Sequence, residues 1–349
     1  MMQPQRLARL ICLFLLAVVM FELSAKAQTG IDRVTRRNGT DSGQITKVTP
    51  LGVTISKGGV TSHIPAEEIR SISFDGEPPQ FNTIRRAIDQ GRFDSAQETL
   101  QKIESSDLSR PEVRQEFDYF KSICQGNLAL AGKGDLQEAL ASVNEFLVSN
   151  RTSYHVPEAI ELQGDLNLAI GNVEEAQKKY ETLAKAPAAY YKARSALLLG
   201  KLFQREGDPI RAIEQFDQVL DIARGVAVAE EMLLTAELQR AVSFSASDKS
   251  DEGIDIVKRL IISAPSDNAQ QLAQGYNALG NCYIAADDPQ AARDAFLHVH
   301  LLFSTASDEH AEALYHLAGL WKQLNQPTRA QEAEQALAKE YPLSRWAGR

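Results

Sequence analysis

The sequence predicts a mainly α-helical solenoid of about seven helical hairpins, preceded by a small all-β barrel. The first observation is a repeat: seven times after residue 80, a small residue follows a polar turn, at separations of 36 to 43 residues. Such a period is typical of stacked units that bury their apolar faces against one another. The second is composition, because 44% hydrophobic but only 7% aromatic residues suit closely packed helices. The third is a run of alternating polar and apolar residues before residue 75.

The chain begins with a segment that resembles neither part of this fold. Arg6 and Arg9 precede an apolar run over residues 10–21. Small residues at Ala25 and Ala27 then provide a cleavage site, so we expect residues 1–27 to be a signal peptide. The apolar run is shorter than the roughly 20 residues that a spanning helix needs, and an uncleaved inner-membrane anchor is the alternative. The mature protein is therefore expected in the periplasm or outside the cell, without stable membrane insertion.

Net charge limits the class of partner. The leader holds three basic residues and one acidic residue, so its removal changes the formal net charge from −9 to −11. An acidic surface repels the phosphate backbone of nucleic acids. We therefore expect no nucleic-acid partner and favour neutral or cationic ones.

Residues 28–76 predict a small β-barrel domain of five short strands, separated by turn signals such as Asn38-Gly39. The predicted strands are Ile31–Thr35, Gly43–Val48, Gly52–Ser56, Val60–Ile64 and Ile69–Phe74. In its strand, Asn-Gly turn and returning strand, this segment resembles the Sm-like and SH3-like barrels. Balanced charge and few aromatic residues favour a structural or interaction role over RNA binding. Proline and glycine then break the strand pattern, and residues 77–80 are predicted to be a linker.

Within the repeats, the same residue types recur at the same offsets. The clearest unit contains Leu199, Gly200, Phe203, Gly207, Asp208, Pro209, Ala212, Phe216 and Val219. This pattern resembles the tetratricopeptide repeat, a helical pair of about 34 residues, although the spacing here is longer. The resemblance implies that residues 81–349 form a tetratricopeptide-type solenoid. Small residues such as Gly200 would then let paired helices approach closely, while aromatic residues fill the core.

The resemblance also implies a binding site on the concave wall, which the exposed faces of the first helices build. The candidate peptide-binding residues are Arg194, Lys201, Arg205, Gln274, Asn277 and Asn281. The same positions in other units are Glu158, Glu161, Asp165, Glu312, Tyr315 and Lys322. Asn277 and Asn281 lie four residues apart and could hydrogen-bond an extended peptide, whereas Lys201 and Arg205 could hold a carboxylate. The alternative is that these are simply solvated helix faces.

No residue pattern predicts catalysis. The chain has neither a phosphate-binding glycine loop nor a nucleophile elbow, and no two histidines have the four-residue spacing of a helical metal site. We expect no catalytic residue, no metal and no cofactor. The sequence thus predicts an exported, non-catalytic scaffold for protein or peptide partners in envelope assembly or organisation. The alternatives are a self-assembling structural component of the envelope, hence a homo-oligomer, and a regulatory subunit of an enzyme complex.

Overall fold

The computed structural model describes residues 30–344, 346 and 347. The predicted signal peptide over residues 1–27 lies outside the described residues. Within them, a five-stranded antiparallel sheet precedes fourteen helices, which confirms the predicted order of a β segment followed by about seven helical hairpins. None of the described helices combines the length and the apolarity needed to cross a bilayer.

The five predicted strands are present, with slightly different bounds. They are β1 (Asp32–Arg36), β2 (Gly39–Thr49), β3 (Gly52–Lys57), β4 (Val60–Pro65) and β5 (Ile69–Ser73). Their order is β4-β3-β2-β1-β5, and the long strand β2 pairs with β1 through its first half and with β3 through its second half. No ladder joins β4 to β5 in the described part of the chain, where the 3₁₀ turn Ala66–Glu68 connects them. Hydrogen bonds therefore leave the sheet open, instead of closing it into the predicted barrel.

The helices follow as seven consecutive hairpins, each made of a first and a second helix. The first helices are α1 (Gln80–Asp89), α3 (Pro111–Leu130), α5 (Val156–Ile170), α7 (Ala189–Arg205), α9 (Glu230–Ala246), α11 (Ala269–Ala285) and α13 (Ser307–Gln323). The second helices are α2 (Phe93–Leu100), α4 (Leu136–Ser149), α6 (Val173–Leu183), α8 (Pro209–Ala223), α10 (Ser250–Ser263), α12 (Pro289–Leu302) and α14 (Pro327–Glu340).

Polar turn residues start the second helices. Asp208 and Asp288 each accept a hydrogen bond of 3.0 Å from the backbone N–H three residues later. Pro209 and Pro289 occupy the first turn, where the missing N–H has no intrahelical acceptor to lose. Asp287 takes a left-handed φ of 56°, a conformation that Asp and Asn adopt more readily than most residues. These local features end one helix and begin the next.

Glycines allow the helices within a hairpin to approach closely. A Cβ atom added at Gly200 would lie 2.5 Å from the ring of Phe216, and one added at Gly280 would lie 2.5 Å from the ring of Phe296. Both rings are fully buried. Any larger side chain at these glycines would therefore force the helices apart and lose core packing.

The sheet and the first helices share one hydrophobic core. Val34 and Ile72 of the sheet belong to the same buried cluster as Phe81 of α1. A buried ion pair adds to this junction, because the carboxylate of Asp32 is wholly inaccessible and accepts hydrogen bonds of 2.6 and 3.1 Å from the guanidinium of Arg110. The backbone N–H groups of Ile45 in β2 and of Asp75 just after β5 also donate to Asp32, at 2.7 and 2.9 Å. This junction fixes the sheet at the beginning of the helical stack.

Candidate binding groove

Side chains from the first helices of several hairpins line one continuous groove. Cavities of 860 and 800 Å³ adjoin at Arg37, Tyr190 and Arg194, and a third cavity of 520 Å³ meets them at the latter two residues. In the two larger cavities the lining residues on first helices come from α5, α7, α9 and α11, and the β1–β2 turn and the β4–β5 connection form one side. We call this surface the first-helix groove. Its size and mixture of polar and apolar groups suit a bound peptide segment.

Acidic groups and one arginine occupy the middle of the groove. Arg194 donates from Nε to Glu161 Oε2 at 2.9 Å and from Nη2 to the other carboxylate oxygen, so the two side chains form a two-point ion pair. The phenol of Tyr180 donates to half-buried Asp165 at 2.6 Å. Burial, followed by the neighbouring charge of Glu161, raises the pKa of Asp165 to about 6. The groove therefore loses a negative charge as the pH falls through about 6.

Three of the six candidate residues meet in one cavity. Arg194, Lys201 and Gln274 line the 800 Å³ part of the groove, and Lys201 is exposed. Arg205 is exposed at the end of α7 but does not line this cavity. The structure thus brings a basic group and an amide from separate hairpins to one place. Their role in peptide binding stays a prediction.

The two candidate asparagines face the next hairpin instead. Asn277 is only 2% exposed, and its Nδ2 donates to the backbone oxygen of Glu309 at 2.9 Å. The Nδ2 of Asn281 donates to the carboxylate of Glu312 at 3.2 Å. The expectation that Asn277 is an open surface group is wrong, because the first turn of α13 packs over its amide. Both asparagines connect α11 to α13.

Several residues in the groove or bonded to it were not among the candidates. Tyr190 lines all three cavities, and Arg37 reaches the groove from the β1–β2 turn. No pattern in the sequence places a sheet turn beside a distant helix. Glu309 accepts hydrogen bonds from Gln270 and Gln274 of α11. It precedes the candidate Glu312 by three residues on the same helix, so helical spacing could have identified it.

Comparison with known proteins adds to this geometry. The family model of the tetratricopeptide repeat matches residues 312–344, which include most of α13 and all of α14. The chain has the fold of a tetratricopeptide-repeat protein.

Two solved structures illustrate this tetratricopeptide-repeat fold. A tetratricopeptide repeat protein from Parabacteroides merdae is 18% identical, with a TM-score of 0.51, over 74% of this chain and 91% of that chain. A Rap protein complexed with competence and sporulation factor is 16% identical, with a TM-score of 0.51, over 76% of each chain. At these identities the likeness concerns the fold alone. No curated protein matches the sequence.

The second and third helical hairpins also contain a buried ionic cluster next to the groove. The imidazole of His155 contacts Glu116 through Nε2 at 2.9 Å and Glu158 through Nδ1 at 3.1 Å. Its ring stacks on Tyr119, with ring centroids 3.5 Å apart, and the phenol of Tyr119 donates to Glu158 at 2.7 Å. Burial opposes protonation of His155, but the two carboxylates outweigh it and raise the pKa of His155 to about 9. The imidazolium is therefore the main form at neutral pH, and it holds α3 against α5.

Proposed function

We propose that the protein is a non-catalytic scaffold that binds a protein or peptide partner in the first-helix groove. The observation that carries this proposal is the continuity of the groove across four hairpins. It presents the exposed ammonium of Lys201, the amide of Gln274 and the carboxylate of Asp165 along one path. Such spaced polar groups between apolar patches can recognise an extended segment. The Rap protein of the same fold, solved with its bound factor, supports this use.

We also propose that the scaffold acts in the cell envelope after export. The support is the order of basic residues, apolar run and small residues in the first 27 positions. We expect protein purified from the envelope fraction to begin at Gln28, as measured by intact mass spectrometry. A mass that retains the leader would instead favour the inner-membrane anchor.

Reversing the charge of Lys201 and Arg205 tests the binding function. Proteins captured from the envelope fraction by the wild type would be identified, and the contacting segment would be synthesised as a labelled peptide. We expect Lys201→Glu with Arg205→Glu to weaken binding of that peptide by about tenfold or more. Lys201 lines the groove, Arg205 follows it by one turn of α7, and exposed charges there steer and hold a complementary partner. Fluorescence anisotropy gives the dissociation constants.

Lys192→Glu with Arg224→Glu is the matched control, because both positions are exposed and neither lines the groove. This control should bind as the wild type does. Equal weakening in both double variants would indicate an effect of net charge alone. Unchanged binding in the groove variant, or failure to capture any segment, would contradict the proposed function.

A further inference from the structure

Two buried hydrogen-bond acceptors at the α11–α13 contact have no donor. They are Oε2 of Glu309 and Oδ1 of Asn277, and neither atom has a hydrogen-bond partner in the structure. The two side chains are 8% and 2% exposed. The two residues are in contact, since the Nδ2 of Asn277 donates to the backbone oxygen of Glu309 at 2.9 Å. Buried acceptors are almost always satisfied, so two acceptors without donors on contacting residues point to a missing donor group.

Glu309 also lacks a compensating charge. Its Oε1 accepts from Gln270 at 2.6 Å and from Gln274 at 3.1 Å, both of which are neutral amides. It takes part in none of the ion pairs found among residues 30–344, and Asp308 adds a second negative charge beside it. Its place in the first turn of α13 favours the ionised form to a limited extent. Burial nevertheless has the larger effect and raises the pKa of Glu309. A carboxylate in this setting is stabilised strongly by a cation.

The pair of acceptors lies beside the first-helix groove. Gln270 and Gln274, which bond to the carboxylate of Glu309, both line the 800 Å³ cavity. Gln270 is exposed, so its side chain can change rotamer without losing core packing. A group that enters the cavity can therefore replace a glutamine amide at the carboxylate.

We propose that Glu309 and Asn277 form a subsite for a cationic group, an alkylammonium or a guanidinium, carried by a lysine or arginine of the partner in the groove. The cation supplies donors to both acceptors and neutralises the buried carboxylate. The formal net charge of −9 is consistent with a basic partner. The source of the cation rests on the proposed function, whereas its binding to the subsite can be measured without any peptide.

The test is a titration of the protein with n-butylammonium chloride at constant ionic strength, followed by NMR of the side-chain amides of Asn277, Gln270 and Gln274. The wild type should show saturable shifts, and n-butanol at the same concentrations should not produce them. Glu309→Gln, which removes the charge and keeps the shape, should weaken n-butylammonium binding at least tenfold. Glu332→Gln removes an exposed carboxylate on α14, outside the groove, and should leave the affinity unchanged. Without amine, Glu309→Gln should also raise the melting temperature, because it removes an unpaired buried charge.

A wild type without saturable amide shifts would show that these acceptors do not bind an alkylammonium, and the proposal would be wrong. Equal responses to n-butylammonium and n-butanol, or equal affinity in Glu309→Gln, would also overturn it. If Glu309→Gln does not fold, the comparison of n-butylammonium with n-butanol on the wild type still tests the proposal. Failure here is distinguishable from failure of the proposed function, because the peptide test changes Lys201 and Arg205 on α7, whereas this test changes Glu309 on α13 and uses no peptide.

Discussion

Replacing Arg110 with methionine is expected to lower the free energy of unfolding by about 3–5 kcal/mol. Asp32 is completely buried, and the guanidinium of Arg110 is its cationic partner, with hydrogen bonds of 2.6 and 3.1 Å. In Arg110→Met the carboxylate would keep two backbone donors but lose all compensating positive charge. Urea unfolding at pH 7, followed by circular dichroism, measures the change. Hydrogen exchange should show the largest loss of protection in β1 and β2.

A double variant and a surface variant control this experiment. Asp32→Asn combined with Arg110→Met removes both charges, so it should be more stable than Arg110→Met alone. Lys178→Met breaks an exposed pair with Glu175 on α6 and should cause no measurable change. A loss below about 1 kcal/mol in Arg110→Met would show that the buried pair does not hold the sheet in place.

Replacing Glu116 with glutamine should change how stability depends on pH. The pKa of His155 is about 9 in the folded protein and about 6.5 in the unfolded chain, so the folded state binds the proton more tightly. The resulting stabilisation is fully present below pH 6.5 and is lost as pH rises through 9. The difference between the folded and unfolded pKa values of His155 corresponds to about 3 kcal/mol in the free energy of unfolding. Glu116→Gln removes the partner that raises this pKa most, so most of the stabilisation at pH 6 should disappear and the decline toward pH 9 should flatten.

Urea unfolding at pH 6, 7.5 and 9 measures how the free energy of unfolding of the wild type and of Glu116→Gln depends on pH. His298→Gln is the control, because His298 is an exposed histidine whose Nδ1 contacts only a backbone oxygen of its own helix. This variant should retain the decline of the wild type between pH 6.5 and 9. If Glu116→Gln retained it as well, the raised pKa of His155 would not be the cause.

The helical hairpins could be predicted because their determinants are local. Gly200 and Phe216 lie in one hairpin, and Asp208 and Pro209 start a helix through contacts within a few residues. The pairing of strands is less local. Alternation of polar and apolar residues predicts strands and their inward faces, but not which edges meet. Strand β5 pairs with β1, more than thirty residues earlier, and the edge between β4 and β5 stays open.

The candidate site was predictable only where a residue faces outward on its own helix. Lys201 is exposed, as the helical pattern predicted, and Gln274 reaches the same cavity. Asn277 occupies an equivalent helical position but is buried, because α13 packs over it. The sequence of α11 alone does not reveal this contact between hairpins. Arg37 enters from the sheet, and its place depends on how the sheet packs on the first hairpins.

The turn between β1 and β2 forms one edge of the first-helix groove. Insertions or deletions at this tip, which a hairpin connection tolerates well, would therefore reshape the groove while every helix stayed unchanged. If the groove binds a partner as proposed, a few positions near Asn38, far from the repeats in the chain, would change its selectivity. Grafting this turn from a relative is then expected to transfer the preference for a partner.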